Sequence, residues 1–349
     1  KFFNNKRILI TGHTGFKGIW LSIILKNFGA KVYDFSLKEP SRMKNLKLFN
    51  LNNEIETCYG NIINKQSFYK YSKKVKPQIL FHLAAQPLVK ESYANPYDTF
   101  ETNVMGMLNV LEYAKISESL KSVVLITSDK CYKNKELSTG YSESNELGGD
   151  DPYSASKVAA EIIVKSYVKS FFKNTLLKNR VSTVRAGNVI GGGDYSKNRL
   201  LPDIIRAINN KKIMNIRNPN FIRPWQHVLD PLTGYLALAK KQYNNRIDNK
   251  EPSWNFGPNK NNFKKVIDII RYINKFQKFD YKLLKNNKIK ETNILKLDST
   301  KAKKELKWFS KWDLNKALKK TIEWNILFKK GVSVRDLCEK QFLMYIKDK

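Results

Sequence analysis

Tyr153 and Lys157 are four residues apart, and their side chains could together carry out proton transfer. In a helix, this spacing places both side chains on the same face. A nearby ammonium group stabilises a phenolate, so we expect Lys157 to lower the pKa of Tyr153 and to make it a usable base. Tyr and Lys often occur four residues apart by chance, so this pair alone does not identify an active site.

Three glycines, Gly12, Gly15 and Gly18, follow an apolar segment and open a predicted helix. Glycines allow a backbone to approach phosphates closely, and the free N–H groups of a helix N-terminus attract them. This arrangement at the first strand–helix junction predicts a dinucleotide site. The residues expected to bind the cofactor here are Gly12, Thr14, Gly15, Phe16, Lys17 and Gly18. We add Leu83, Ala84 and Ala85 at the carboxyl end of a later strand, where small residues let a cofactor approach, together with Tyr153 and Lys157.

An acidic residue near the end of the second strand would hold the adenosine ribose and favour NAD over NADP. Asp34 is the candidate for this role. Ser36 could occupy the ribose position instead, and Lys38 and Arg42 could meet a 2′-phosphate. We expect NAD, while the sequence itself leaves NADP open.

A polar cluster, Ser128-Asp129-Lys130, ends the apolar run at residues 123–127. Parallel sheets hold their active sites at the carboxyl ends of strands. A hydroxyl group at this end could hydrogen-bond a substrate hydroxyl beside Tyr153. The alternative is a simple hydrophilic turn, which we reject because the cluster lies between the glycine motif and the Tyr153–Lys157 pair.

Short apolar runs alternate with helical segments through the first two-thirds of the chain, which predicts a parallel sheet covered by helices. The predicted strands are residues 7–11, 31–35, 79–83, 123–127 and 182–185. The predicted helices are residues 18–28, 65–74, 98–114 and 152–172, followed by one or two amphipathic helices at 301–328. The expected fold class is α/β, a Rossmann-type doubly wound parallel sheet with a smaller C-terminal substrate-binding lobe. We assign residues 1–187 to the NAD-binding domain that carries the catalytic residues and 188–349 mainly to the substrate lobe, with some chain returning to the first domain.

The motifs resemble those of a known family. They read GHTGFKG at 12–18, HLAAQ at 82–86, TSDKCY at 127–132, YSASK at 153–157, RAGNVIGGGD at 185–194 and RPWQH at 223–227. Over nearly its whole length the chain is similar to the extended short-chain dehydrogenase/reductases, and among these to the CDP-glucose branch of the nucleotide-sugar 4,6-dehydratases. Such enzymes are lyases that serve deoxysugar and surface-polysaccharide biosynthesis.

The resemblance implies a reaction on a nucleotide sugar, CDP-glucose. Tyr153 would take the proton of the C4 hydroxyl while NAD takes the C4 hydride. The resulting 4-ketone acidifies the C5 proton, water leaves with the C6 hydroxyl, and the hydride returns to C6. Asp129 as the acid and Lys130 as the base is a hypothesis, which rests on burial shifting both pKa values.

The resemblance also implies substrate ligands and an assembly. The candidates for holding the substrate are Gln86, Asn188, Arg199, Arg223 and His227, among which arginine suits a diphosphate through its fork of donors. Helices 98–114 and 152–172 would pair with those of a second copy to give a homodimer or a dimer of dimers. The identity of the nucleotide and of the sugar stays open.

Two other functions compete with dehydration. A 4-epimerase or decarboxylase of the same superfamily would share the oxidation at C4, but epimerases typically carry small residues where this chain has Asp129 and Lys130. A binder without enzymatic activity, of nucleotides or of nucleic acid, would not need the hydride-transfer residues Ser128, Tyr153 and Lys157.

The composition narrows the possible partners. Lys and Arg number 64 against 31 Asp and Glu, a net charge of +33. The lysines are scattered among asparagines rather than clustered, so we expect no nucleic-acid partner. No apolar run approaches the length of about 20 residues that a membrane helix needs, and strand-like sequence begins at Arg7, so we expect neither a membrane partner nor a signal peptide. Three widely spaced cysteines match no metal-ligand spacing and suggest a cytoplasmic protein.

Overall fold

The fold contains a large parallel sheet, a second lobe and helices on both sheet faces. A computed structural model describes residues 2–38, 55–248, 251–284 and 293–348. The strands are β1 Arg7–Thr11, β2 Lys31–Ser36, β3 Glu56–Tyr59, β4 Ile79–His82, β5 Ser122–Ile126, β6 Val181–Ala186, β7 Asn188–Ile190, β8 Met214–Ile216, β9 Ile222–His227, β10 Ser253–Phe256, β11 Phe263–Lys265 and β12 Tyr281–Leu283. The α-helices are α1 Phe16–Asn27, α2 Lys65–Val75, α3 Val89–Ala94, α4 Pro96–Phe100, α5 Gly106–Ile116, α6 Pro152–Tyr167, α7 Leu200–Asn210, α8 Leu229–Tyr243, α9 Val266–Phe276, α10 Leu314–Lys329 and α11 Val334–Lys347.

The main sheet has seven strands in the order β10-β6-β5-β4-β1-β2-β3, and its paired strands are parallel. From β1 the chain builds outward through β2 and β3, then crosses back to β4 and builds in the other direction. This reversal leaves a crevice at the carboxyl ends of β1 and β4, the place where doubly wound sheets bind ligands.

The strands are short and apolar because both faces of the sheet are covered. Ile8 and Ile10 of β1 belong to a core cluster with α1, α8 and α11 on one face. Leu9, between them, belongs to a second cluster with α2, α5 and α6 on the other face. Alternate side chains of one strand therefore fill two separate cores.

The second lobe is smaller and packs around its own apolar cluster. It contains the three-stranded sheet β11-β9-β7, the two-stranded sheet β12-β8 and helices α7, α9 and α10. The chain also returns to the first half: β10 pairs with β6 at the edge of the main sheet, α8 packs against β5 and β6, and α11 packs against α1.

The structure confirms the predicted fold class. The five predicted strands and four predicted helices form. When the π-helical turns are counted with their helices, the predicted bounds differ from the observed ones by at most two residues. Two predicted helices end or are interrupted by π-helical turns, Glu101–Met105 between α4 and α5 and Val168–Phe172 after α6. The sequence did not predict β3, α3 or α11, and it gave no bounds for β7 to β12 or for α7 to α9. Within the described ranges, no helix combines the length and the apolar character required to span a membrane.

Candidate active site

A cleft with a volume of about 540 Å³ lies at the carboxyl ends of the main strands and extends to the second lobe. Its walls include the glycine-rich loop, the ends of β4 and β5, the start of α6 and parts of β7 and β9. Nearly all of the residues proposed from sequence for the cofactor and for catalysis line it: Gly12, Thr14, Gly15, Phe16, Lys17, Gly18, Leu83, Ala84, Ala85, Ser128, Asp129, Lys130, Tyr153 and Lys157.

The glycine-rich loop packs too tightly for larger residues. Gly12 has a φ of +80°, and a Cβ added there would lie 2.7 Å from the backbone nitrogen of Ala84. A Cβ on Gly18 would collide with the carbonyl of Gly12. Helix α1 begins after Gly15 without a capping side chain, so its first N–H groups remain available at the cleft wall. This uncapped helix end beside a close-packed loop fits a dinucleotide pyrophosphate.

Helix α6 fixes the positions of Tyr153 and Lys157. The helix starts sharply because Asp151 accepts a hydrogen bond from the Ser154 N–H at 3.0 Å and Pro152 occupies the first turn. Tyr153 and Lys157 therefore emerge one turn apart, and the Lys157 ammonium lies 5.9 Å from the centre of the Tyr153 ring. Both residues are buried: Tyr153 is 8% exposed and Lys157 is 4% exposed.

Burial dominates the protonation of this pair. It raises the pKa of Tyr153 to about 12, although contact with Ser128 and the charge of Arg199 act in the opposite direction. It lowers the pKa of Lys157 to about 8, partly offset by Glu161. The predicted lowering of the Tyr153 pKa is therefore wrong for the protein alone, because loss of hydration outweighs the nearby positive charges.

The polar cluster after β5 forms a short helical turn, Asp129–Cys131. The Ser128 hydroxyl accepts a hydrogen bond from the Lys130 N–H at 3.2 Å and donates one to Asp129 Oδ1 at 3.1 Å. Asp129 is 4% exposed, and its other carboxylate oxygen has no hydrogen-bond partner among the described residues. Burial raises the pKa of Asp129, which favours its protonated form and would allow it to donate a proton.

A buried ion pair joins the elements that carry these groups. Glu161, one turn after Lys157 on α6, accepts two hydrogen bonds from Arg185 of β6 at 2.9 and 2.7 Å. Its carboxylate also accepts hydrogen bonds from Thr127, which precedes Ser128, and from Thr183. The carboxylate thus holds the end of β5 against α6 and sets the position of Ser128 relative to Tyr153.

The second lobe contributes three of the proposed substrate ligands to the same cleft. Asn188 begins β7, Arg199 precedes α7, and Arg223 lies on β9. Arg199 Nη1 lies 3.4 Å from Asp194 Oδ2, and the buried Arg223 donates to the carbonyls of Ile222 and Asn293 at 3.0 and 3.3 Å. These arginines place positive charge on the wall formed by the second lobe.

Comparison with known proteins gives the family. A family profile described as GDP-mannose 4,6 dehydratase matches residues 9–321. The chain is also 41% identical to the CDP-glucose 4,6-dehydratase of Salmonella typhimurium over 345 residues, 97% of this chain and 96% of the relative. This chain belongs to the GDP-mannose 4,6-dehydratase family.

Solved structures with the same fold include dehydratases and epimerases. The dTDP-glucose 4,6-dehydratase of Bacillus anthracis, in complex with NAD, superposes with a TM-score of 0.77 at 22% identity, covering 93% of this chain and 98% of that one. A UDP-glucose 4-epimerase of Stenotrophomonas maltophila with bound NAD superposes with a TM-score of 0.81 at 16% identity, covering 94% and 100%. At these identities the structures establish a shared fold.

In this member of the GDP-mannose 4,6-dehydratase family, Asp34 does not line the cleft. It is fully buried, accepts hydrogen bonds from the His13 N–H at 3.1 Å and the Ser36 hydroxyl at 2.7 Å, and lies 2.5 Å from His13 Nδ1. The expectation that Asp34 holds the ribose is therefore corrected: its carboxylate braces the glycine-rich loop. Ser36 lines the cleft instead, and Arg42 lies outside the described residues.

Two proposed substrate ligands, Gln86 and His227, have side chains that do not face the cleft. The Gln86 side chain accepts from the Leu88 N–H at 2.6 Å and donates to the Leu88 carbonyl and the Thr99 hydroxyl, so it fixes its own loop. His227 is fully buried between Trp20 and Trp312, with ring centres 5.7 and 4.7 Å away. Burial lowers its pKa to about 3, so it is a neutral core residue. Neither side chain lines the cleft.

Several residues that line the cleft of this family member were missed in the sequence. Gly60, Asn61 and Ile62 follow β3, whose polar four-residue sequence gave no strand signal, and Arg217 follows β8. Because β3 was not recognisable, the only local signal for the first group is the glycine–asparagine pair at 60–61, which is typical of a turn. Nothing in the local sequence distinguishes Arg217 from the many other basic residues.

Proposed function

We propose that this protein is a nucleotide-sugar 4,6-dehydratase that converts CDP-glucose to CDP-4-keto-6-deoxyglucose and water with tightly bound NAD. The observation that carries the proposal is that Tyr153, Ser128, Asp129 and Lys130 line one cleft with the glycine-rich loop. CDP-glucose is favoured as the substrate by the 41% identity to the Salmonella enzyme over nearly the full length of both chains.

The chain's own residues would bind, orient and move protons. Tyr153 would accept the proton of the C4 hydroxyl, with the Lys157 ammonium stabilising the phenolate and Ser128 orienting the sugar. Asp129 would donate its proton to the departing C6 hydroxyl, and Lys130 would remove the C5 proton. Bound NAD would supply the hydride chemistry, as the acceptor of the C4 hydride and the donor to C6. The glycine-rich loop and the N-terminus of α1 would hold the cofactor.

The proposal is tested by the product. Purified protein, incubated with CDP-glucose and NAD, should release CDP-4-keto-6-deoxyglucose, which mass spectrometry detects as the loss of one water. Tyr153→Phe should abolish this product while NAD binding, measured by calorimetry, stays within about twofold of wild type. A 4-epimer that retains its 6-hydroxyl, or no conversion at all, would contradict the proposal.

We further infer a homodimer in the cytoplasm. Apolar side chains are exposed along the helices expected to pair: Tyr97, Phe100 and Met105 on one, Ile162 and Phe171 on the other. Helices α4 and α6 pack against each other, and exposed apolar side chains grouped on neighbouring helices are typical of an interface. The three cysteines are free thiols in the structure, as suits a reducing compartment. Sedimentation equilibrium that gives the mass of one chain would contradict the dimer.

A further inference from the structure

The cleft carries an excess of positive charge. Its lining includes two carboxylates, Asp129 and Asp194, and seven basic side chains, Lys17, Lys90, Lys130, Lys157, Arg199, Arg217 and Arg223. Under the proposed function, the cleft must hold the pyrophosphate of NAD and the diphosphate of a nucleotide sugar at the same time. Each of these anions needs charge-assisted hydrogen bonds.

Most of these basic groups are accounted for by their positions. Lys17 belongs to the glycine-rich loop, Lys130 and Lys157 lie beside the reacting groups, and Lys90 is exposed. The three arginines remain, and all belong to the second lobe. They are the groups available to a substrate diphosphate on that wall.

The three arginines differ in how many interactions their guanidinium groups already make with other groups of the protein. Arg199 lies against the Asp194 carboxylate, and Arg223 donates to two backbone carbonyls. Arg217 is half-buried at the end of β8, and among the described residues no group pairs with its guanidinium. A guanidinium that is partly removed from water without a partner is stabilised when an anion binds, and its planar fork of donors matches phosphate oxygens.

The backbone on either side holds Arg217 in place. β8 pairs with β12 in register from Met214 to Ile216, and the neighbouring α7 packs against β8. The first residues of α7, Leu200 to Pro202, line the same cleft. Arg217 therefore extends from a fixed strand end rather than from a free loop.

We propose that Arg217 binds the diphosphate of the nucleotide sugar and, together with Arg223, determines the preference for a nucleoside diphosphate substrate. This inference rests on the proposed function and names a residue for its substrate site. The diphosphate does not change during the reaction, so Arg217 should contribute equally to the ground state and the transition state. Its loss should raise KM and leave kcat nearly unchanged.

The test compares wild type with Arg217→Met, Arg217→Lys and a control, Arg271→Met, which removes the same charge from an exposed position on α9. Arg217→Met should raise the KM for CDP-glucose about 10- to 100-fold, as expected for lost charged hydrogen bonds, with kcat within about threefold. Arg217→Lys keeps the charge but loses the fork, so its KM should be intermediate. Arg271→Met should match wild type.

Calorimetry with CDP, cytidine and NAD separates this inference from the proposed activity, because it needs no turnover. Arg217→Met should weaken CDP binding by the same factor as KM and leave the binding of cytidine and NAD unchanged. The inference is overturned if CDP binding stays within twofold of wild type, if cytidine or NAD binding falls equally, or if wild type binds no CDP. Wild type that binds CDP, loses it in Arg217→Met and yet fails to convert CDP-glucose would refute the proposed reaction alone.

Discussion

At the scale of single residues, the elimination of water depends on Asp129 and Lys130. Lys130→Met removes the amine proposed to take the C5 proton, while oxidation at C4 still has Tyr153. The 4-keto sugar that retains its 6-hydroxyl should therefore accumulate, and dehydration should slow by at least about 100-fold, the lower range for loss of a general base. Mass spectrometry of quenched reactions measures both species.

The matched control for this variant is Lys133→Met, three residues further along the same segment, where the lysine is exposed and paired with Glu146 at 2.7 Å. It should dehydrate CDP-glucose at the wild-type rate. If Lys130→Met also forms the 6-deoxy product at the wild-type rate, then another group removes the C5 proton.

The buried ammonium of Lys157 should destabilise the free protein at neutral pH. Its pKa of about 8 lies below the ordinary 10.5, so the unfolded chain binds more protons between these values and the free energy of unfolding rises with pH there. Lys157→Met should thus be more stable at pH 7 by up to about 3 kcal/mol, although inactive. The gain should shrink above pH 8 and disappear near pH 10.5, as thermal unfolding across pH would show.

Lys157→Arg provides the comparison, because its charge persists across this whole range. It should be no more stable than wild type at pH 7. If Lys157→Met melts below wild type at pH 7, or if its higher stability persists at high pH, then burial of the ammonium does not destabilise the protein.

The residue types of this site could be predicted from the sequence, but not all of their partners. Ser128 and the three glycines could be predicted because they follow apolar strand segments. Tyr153 could be predicted because it lies one helical turn before Lys157. Asp34 has the residue type and position expected for a ribose ligand, yet its carboxylate is hydrogen-bonded to His13 and does not face the cleft. Which face of a strand end points to the cleft depends on packing that no local pattern encodes, and the same holds for His227.

At the scale of elements, a π-helical turn positions a residue that links the two halves of the site. The turn Glu101–Met105 brings Asn103 to a buried position where it accepts from the Gln86 N–H at 2.8 Å and donates to the Gln86 carbonyl at 3.1 Å. Asn103 also donates to the Ser156 hydroxyl at 2.9 Å, which in turn donates to the Tyr153 carbonyl. The loop after β4 is thereby tied to α6.

Asn103→Leu should loosen the cofactor side of the cleft. It leaves the part-buried N–H and carbonyl of Gln86 without these partners, at a cost of up to about 1–3 kcal/mol each. Ala84 and Ala85, which line the cleft, directly precede Gln86. We expect a lower melting temperature and NAD binding weakened by about 10-fold or more in calorimetry.

Ser156→Ala is the control, since it removes the contact with α6 and leaves both bonds between Asn103 and Gln86. It should bind NAD within about twofold of wild type. If Asn103→Leu binds NAD as tightly as Ser156→Ala does, then the loop after β4 keeps its conformation without the hydrogen bonds between Asn103 and Gln86.

The helical segment at 98–114 was predicted, whereas the π-helical turn within it was not. Such a turn adds one residue to the hydrogen-bonded loop and depends on what the helix packs against. β3 was missed because it is short and polar, and α11 because its apolar face is completed only by contacts with α1 and α10.

At the scale of the whole molecule, the strand order reverses between β1 and β4. The proposed catalytic groups lie beside this reversal, at the carboxyl ends of the strands. The alternation of strands and helices predicted the parallel sheet, and the sequence also predicted a smaller second lobe. The path by which β10 and α8 return to the main sheet could not be read from the sequence, because it depends on pairing between segments far apart in the chain.

The central claim is that one sugar carbon is oxidised and another is reduced within the same cleft. The most direct test uses CDP-glucose labelled with deuterium at C4, with the product examined by NMR. The account predicts a 4-keto-6-deoxy product that carries the deuterium at C6. Deuterium lost to solvent, or kept at C4 of a sugar that retains its 6-hydroxyl, would contradict it.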